Sequence, residues 1–366
     1  MKFYLISFLF LFFLFGFVSC EEKGSVASIG EEETIVYDTL KNEFAKGFQL
    51  IYSPKGIIIN VLDPLSNDLI KSYRIGKGEE YNVFNSSLNN VVALSTTHVG
   101  MLRKLGIENQ ITGVASFQHL CRPMNINEVS EVGDIGMTDP ERIVKASPDI
   151  IFYSGYNLNA PILNKLERVD MKTFLIYDWK ETHPLGRAEW LKVFGVLFGK
   201  EKEANRIFSE MRTNYFRIVT ELKQAQHQPT VLAGTYFGDV FNAPAGESHM
   251  AHLLKDANVN YVYSDVEGVG SLNLGLEEVI TKNLEVDYWI NVAFRSMSEL
   301  MEQNSKFGML KSVKNRYVYT YMNDVNCFWE NSPVEPDKVL ADLGRIFHPE
   351  IMQEGELNYY SRLEYE

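Results

Sequence analysis

His249 and His252 stand three residues apart, a spacing at which two imidazoles can share one helix face and ligate a metal ion. No third histidine or cysteine lies near them in the sequence, so both read as surface or core histidines and no metal site is expected. The 7 histidines are scattered and no His-rich acidic loop occurs, which argues against direct capture of bare zinc. Catalytic signatures are equally sparse. The chain has no Walker loop, no glycine fingerprint opening a helix after a strand and no nucleophile elbow; Gly268-Val269-Gly270-Ser271 lacks the third glycine. It reads as a binding protein without a cofactor of its own. An enzyme is the alternative from another class, and it would need an acid–base or nucleophile set brought together from distant residues.

What stands out is a set of aromatic and polar residues just past short apolar runs. Thr96, Thr97, Phe117, His119, Arg122, Tyr156 and Trp179 hold such places in one half of the chain. Tyr236, Phe237, Phe294, Arg295, Asn326 and Trp329 hold them in the other. In open parallel sheets, ligands bind outside the carboxyl ends of the strands. A single aromatic there is more often packing, but the shared placement suits a large, flat, partly apolar ligand gripped between two lobes. The expected ligand contacts are Thr96, Thr97, Phe117, His119, Trp179, Tyr236, Phe237, Arg295 and Trp329.

The elements that must position these residues alternate along the chain. Val91–Leu94, Ile111–Ala115, Ile150–Tyr153 and Thr173–Tyr177 read as buried strands separated by single helices, hence a parallel sheet with helical crossovers. From Leu185 to Gln226 the pattern turns helical. Ala204, Ile207, Phe208, Met211, Tyr215, Ile218, Val219 and Leu222 recur every three or four residues, and no Pro or Gly interrupts residues 200–226. A second α/β block follows: strands at Thr230–Phe237, Asn260–Tyr263, Tyr288–Val292 and Tyr317–Tyr321, helices at Ser248–Lys255, Leu276–Lys282 and Pro336–His348. A weak internal repeat relates the blocks, with Asp139–Val144 ahead of Pro148-Asp149 and Gly275–Ile280 ahead of Val286-Asp287. The predicted fold is α/β, two Rossmann-like lobes joined by one long helix, with a small β-rich extension in front. Residues 21–90 form tether and extension, 91–184 the first lobe, 185–227 the linking segment, 228–350 the second lobe and 351–366 an unpacked acidic tail.

The ends and the charge bound the compartment. Tyr4–Phe17 is an apolar run broken only by Ser7 and Gly16, shorter than the about 20 residues a membrane span needs and suited to a secretory signal. Phe17-Val18-Ser19-Cys20 closes residues 1–20 and resembles a bacterial lipobox, in which Cys20 is acylated and becomes the mature N-terminus. The chain is then a lipid-anchored protein of the cell envelope facing the periplasm, touching the membrane only through the lipid. Only Cys121 and Cys327 remain, too few for a disulfide scaffold, so stability must rest on a hydrophobic core. A net charge of −13 argues against nucleic acid as partner.

From about Val91 to Pro349 the chain resembles the periplasmic binding proteins that serve iron-siderophore, haem and cobalamin importers. The match is carried by Val91–Ser95, Asp139–Val144 with Ser147–Ile151, Pro244–Ser248 running to Leu253–Ala257, and Leu276–Val279. The resemblance implies a monomer that captures a metal chelate (a ferric siderophore, a corrinoid or haem) and delivers it to an ABC permease. It also implies that Glu141 and Glu277, one per lobe, dock onto permease arginines; acidic residues at such positions also favour the first turn of a helix. Ile135-Gly136-Met137 stand where cobalamin binders carry a tryptophan, Phe117 where an aromatic contact is expected, and His119 or Tyr236 are the candidate axial ligands for haem.

Overall fold

The computed structural model describes residues 38–76, 88–134, 138–156, 158–238, 240–322, 326–353 and 355–365. Cys20, the tether at 21–33 and Ile135-Gly136-Met137 lie outside them.

Strands β1 (Asp38–Leu40), β2 (Phe48–Ser53), β3 (Gly56–Leu62) and β4 (Leu69–Gly76) form an antiparallel sheet in sequential order. Alternation along β2 and β3 sends Phe48, Leu50, Ile59 and Val61 inward, where they join the main core. The sheet is docked on the body of the protein. Tyr73 stacks on Phe174 with ring centroids 4.1 Å apart, and its hydroxyl accepts the Leu175 N–H at 2.8 Å. Two buried carboxylates hold the segment entering β2. Glu189 accepts the N–H groups of Glu43, Phe44 and Ala45 at 3.0, 2.9 and 2.8 Å, and Glu181 accepts those of Lys46 and Gly47. Burial costs a lone carboxylate heavily, so each is supplied with further donors: Lys192 Nζ for Glu189 and Trp190 Nε1 for Glu181.

The first lobe contains β5 (Val91–Ala93), helix α1 (Thr96–Lys104), β6 (Ile111–Val114), β7 (Ser130–Glu131), α2 (Pro140–Ala146), β8 (Ile150–Ser154), α3 (Pro161–Arg168) and β9 (Thr173–Ile176). The sheet order is β7-β6-β5-β8-β9 with every pair parallel. Asp139 begins α2, accepting the Glu141 N–H at 2.9 Å, with Pro140 at the first helical position.

The linking segment carries α4 (Pro184–Glu189), α5 (Leu191–Leu197) and α6 (Glu201–Leu222). The eight residues of the predicted stripe are the buried face of α6. Its 22 residues span about 33 Å, ending four residues before the expected stop.

The second lobe contains β10 (Thr230–Ala233), β11 (Thr235–Phe237), β12 (Val240–Pro244), α7 (His249–Asp256), β13 (Asn260–Tyr261), β14 (Ser271–Gly275), α8 (Leu276–Lys282), β15 (Tyr288–Val292), β16 (Val318–Thr320) and β17 (Ser361–Arg362). Its main sheet runs β13-β10-β15-β16-β17, parallel except for β17. The expected single strand 230–237 is two strands in two sheets, since β11 joins an antiparallel sheet β11-β12-β14. The break is Gly234, whose φ of +133° and approach to Asn242 O, 2.2 Å from where a Cβ would sit, no other residue tolerates. The tail also departs from expectation. Tyr359, Tyr360 and Leu363 are buried, β17 extends the main sheet, and the buried Asp342 accepts the Tyr359 N–H at 2.7 Å. Acidic composition masks these three positions, whose partners are far off in sequence.

Candidate functional site

Two adjoining cavities open between the lobes. The first, about 350 Å³, is lined by Tyr156, Trp179 and Arg187 on one side and Asn242, His249 and Met250 on the other. The second, about 660 Å³, is lined by Thr96, Ser116, His119, Ser154 and Arg295, and shares Tyr156 and Trp329 with the first. Tyr156 is stacked on Trp179 at 4.6 Å with the planes 17° apart, forming a flat apolar wall.

The first cavity is built around Arg187, which α4 carries in from the linking segment. Its guanidinium is buried and donates Nε–H to Asp178 at 2.9 Å and a terminal N–H to Thr97 Oγ1 at 3.3 Å. A third donor lies 3.3 Å from His249 Nε2. Arginine only donates, so His249 accepts at Nε2 and carries its proton on Nδ1. Burial, and then the Arg187 charge, push the His249 pKa down to about 3, keeping the ring neutral. Its Nδ1 and the indole Nε1 of Trp179 are buried without a protein partner. The cavity thus joins an aromatic wall to a guanidinium, a combination matched to acceptor groups on a bulky ligand.

Trp329 reaches both cavities from a segment that returns across the first lobe. Cys121, in the loop after β6, is disulfide-bonded to Cys327, 206 residues later. Glu330, fully buried, pairs with Arg103 and accepts the Cys121 N–H. Helix α1 approaches this segment so closely that a Cβ on Gly100 would lie 1.7 Å from Glu330 O. Loss of the bond in the Cys121→Ser/Cys327→Ser variant is expected to cost about 2–5 kcal/mol, because it closes a very long loop. Denaturant midpoints of the two proteins measure this, and coincident midpoints would mean that the native protein does not depend on the bond.

The expected site residues divide. Thr96, His119, Trp179, Arg295 and Trp329 line the cavities. Thr97 is buried behind the first one, supporting Arg187. Phe117 lines neither and packs against the core. Tyr236 lies in edge contact with Phe307 at 6.0 Å, on the flank of the second lobe's core, while Phe237 is 81 % exposed on a hairpin. Both are carried off by the turn at Gly234, which the single-strand reading did not contain; of the two axial candidates only His119 lines a cavity. Phe294 is core, and Arg122 and Asn326 line neither cavity. Arg187 and His249 were not expected contacts. The signal for Arg187 was present: Arg187, Glu189 and Lys192 interrupt an otherwise apolar helical run, and all three are buried. His249 and His252 face different surroundings, the former the cleft and the latter the far side of α7.

Residues 91–325 match the model of the periplasmic binding protein family. The chain belongs to that family. This periplasmic binding protein is 23 % identical over 299 residues to an uncharacterized lipoprotein of Methanocaldococcus jannaschii, a match covering 77 % of this chain and 70 % of that one. Its fold is similar to that of a periplasmic haem-binding protein from Pseudomonas aeruginosa, with a TM-score of 0.60 and 17 % identity over 75 % of this chain and 97 % of that one. A possible iron-binding periplasmic solute-binding protein from Staphylococcus epidermidis gives a TM-score of 0.56 and 20 % identity, covering 71 % of this chain and 99 % of that one. The two-lobed architecture on one helical spine is thus the family's fold, with the β1–β4 sheet preceding the matched region. Among the described residues no helix is long and apolar enough to cross a membrane.

Proposed function

We propose that this periplasmic binding protein captures a metal chelate of the ferric-siderophore class between its lobes and delivers it to an ABC permease, acting by binding rather than catalysis. The observation that carries this reading is the first cavity, where the Tyr156–Trp179 stack meets Arg187. An apolar face with carboxylate or carbonyl groups at its edge fits that combination. Haem and corrinoids carry the same features, and the decisive test is absorption titration with a ferric hydroxamate, a ferric catecholate, haem and cobalamin. Saturable binding of one ferric chelate supports the assignment. Preference for haem or cobalamin moves the substrate within the same role, and absence of binding to all four rejects it.

Trp329→Ala is expected to weaken binding several-fold to tenfold, since an aromatic partner contributes about 0.5–1.5 kcal/mol beyond its area. Phe117→Ala, away from both cavities, serves as the control and leaves affinity unchanged. Equal losses from the two would displace the site from this cleft.

The anchor belongs to the same proposal. Acylation of Cys20 holds the protein on the outer face of a membrane, and Cys20→Ala is expected to shift it out of the detergent phase in partitioning; unchanged partitioning would reject the lipid anchor.

A further inference from the structure

On the side of α7 away from the cleft, His252 meets a second histidine that lies far from it in the sequence and a carboxylate on its own helix. His183, at the start of α4, lies with its ring centroid 4.2 Å from that of His252. Asp256 is one turn further along α7, its Oδ2 3.5 Å from His252 Nε2. One nitrogen of each histidine and one carboxylate oxygen lie within 4.8 Å of one another. We propose that His183, His252 and Asp256 form a binding site for a divalent transition-metal ion of the zinc class.

The geometry fits such an ion closely. Bonds of about 2.0–2.2 Å in a tetrahedron set neighbouring ligand atoms roughly 3.3–3.5 Å apart. The His252–Asp256 pair already has that spacing, and the widest gap in the cluster closes by about 1.5 Å of side-chain movement. Asp256 is held in place from outside the cluster, its Oδ2 accepting the Tyr215 hydroxyl of the α6 spine at 2.6 Å. A ligating carboxylate oriented by a hydroxyl is the outer-shell arrangement that fixes metal ligands. Access is open, since His252 also lines a surface cavity of about 690 Å³ together with Lys46, Thr182 and Glu247. Two imidazoles and one carboxylate suit zinc, cobalt or nickel, whereas magnesium and calcium require a fuller set of oxygens.

Binding rearranges one bond. His183 Nδ1 accepts the Leu185 N–H at 3.0 Å, capping α4. A neutral ring that ligates through Nε2 carries its proton on Nδ1, so the ion replaces that cap contact. The ring proton moves from Nε2 to Nδ1, none is lost, and water completes the coordination. The ion then joins the linking segment to the second lobe directly.

The test uses tag-free, chelator-treated protein, dialysed against Zn²⁺ and titrated with Co²⁺ as a visible probe. The expected result is one ion per chain, Co²⁺ bands of a tetrahedral nitrogen–oxygen site, and a melting temperature that rises with Zn²⁺. His252→Ala and Asp256→Asn each lower Zn²⁺ affinity at least tenfold, and Tyr215→Phe lowers it by about 10- to 100-fold. Calcium and magnesium do not compete. Melts without metal establish that each variant is folded. Zn²⁺ binding that survives both ligand substitutions, an octahedral all-oxygen Co²⁺ spectrum of the native protein, or no binding at millimolar metal overturns the proposal.

Discussion

Replacing Glu141 and Glu277 together by arginine is expected to abolish uptake while leaving chelate affinity unchanged. Glu141 is exposed in the first turn of α2 on the first lobe, and Glu277 is exposed in the first turn of α8 on the second. Neither lines a cavity of the cleft. Two carboxylates on separate rigid lobes offer a partner a two-point, orientation-fixing contact, and arginines answer them with paired hydrogen bonds. Reversing both charges sets like against like, at a cost on the order of several kcal/mol at an interface, which corresponds to a fall in uptake of more than about a hundredfold. Glu277 also bonds Lys306 Nζ at 2.7 Å, and that contact holds its carboxyl below the usual range. If Glu277 docks onto a permease arginine, that arginine must displace Lys306. Chelate titration beside uptake in cells checks the prediction; a double variant that still transports normally would remove these glutamates from the docking role.

Arg187→Met is expected to destabilise the fold and to abolish high-affinity binding, and the two losses can be separated. Asp178 is buried and receives Arg187 Nε–H at 2.9 Å. Removing the arginine leaves an uncompensated buried carboxylate, at a cost of about 3–5 kcal/mol. Adding Asp178→Asn removes that charge and is expected to recover most of the stability. It restores no donor for the ligand, so binding stays weak. Unfolding midpoints and chelate titrations of the single and double variants test both halves. Recovery of binding along with stability would make Arg187 a structural residue only, and the aromatic wall would then carry recognition.

Much of the architecture was legible because it rests on local regularities. Strands β5, β6, β8 and β9 are short buried runs that must be covered on both faces, and the α6 stripe repeats with the period of a helix, so neither depends on knowing its partner. Asp139 and Pro140 likewise mark a helix start by chemistry that acts within three residues. Within the cleft, Thr96, Trp179 and Arg295 were legible because they follow closely on strand ends.

What the sequence by itself determined is therefore the class of fold, the spine and the family, each written in spacing over a few residues or in short motifs. Only the tertiary structure decided which side chains meet. It turned the chain at Gly234, taking Tyr236 and Phe237 away from both cavities and leaving His249 to face Arg187. It joined Cys121 to Cys327 across 206 residues, fastening the segment that bears Trp329, and packed a tail of acidic composition through Tyr359, Tyr360 and Leu363. Contacts of that kind depend on the sum of every intervening turn and crossover. A buried ion pair such as Arg187–Asp178 has no local signature beyond a charge in an apolar run, because what makes it stable is the desolvated partner the fold delivers.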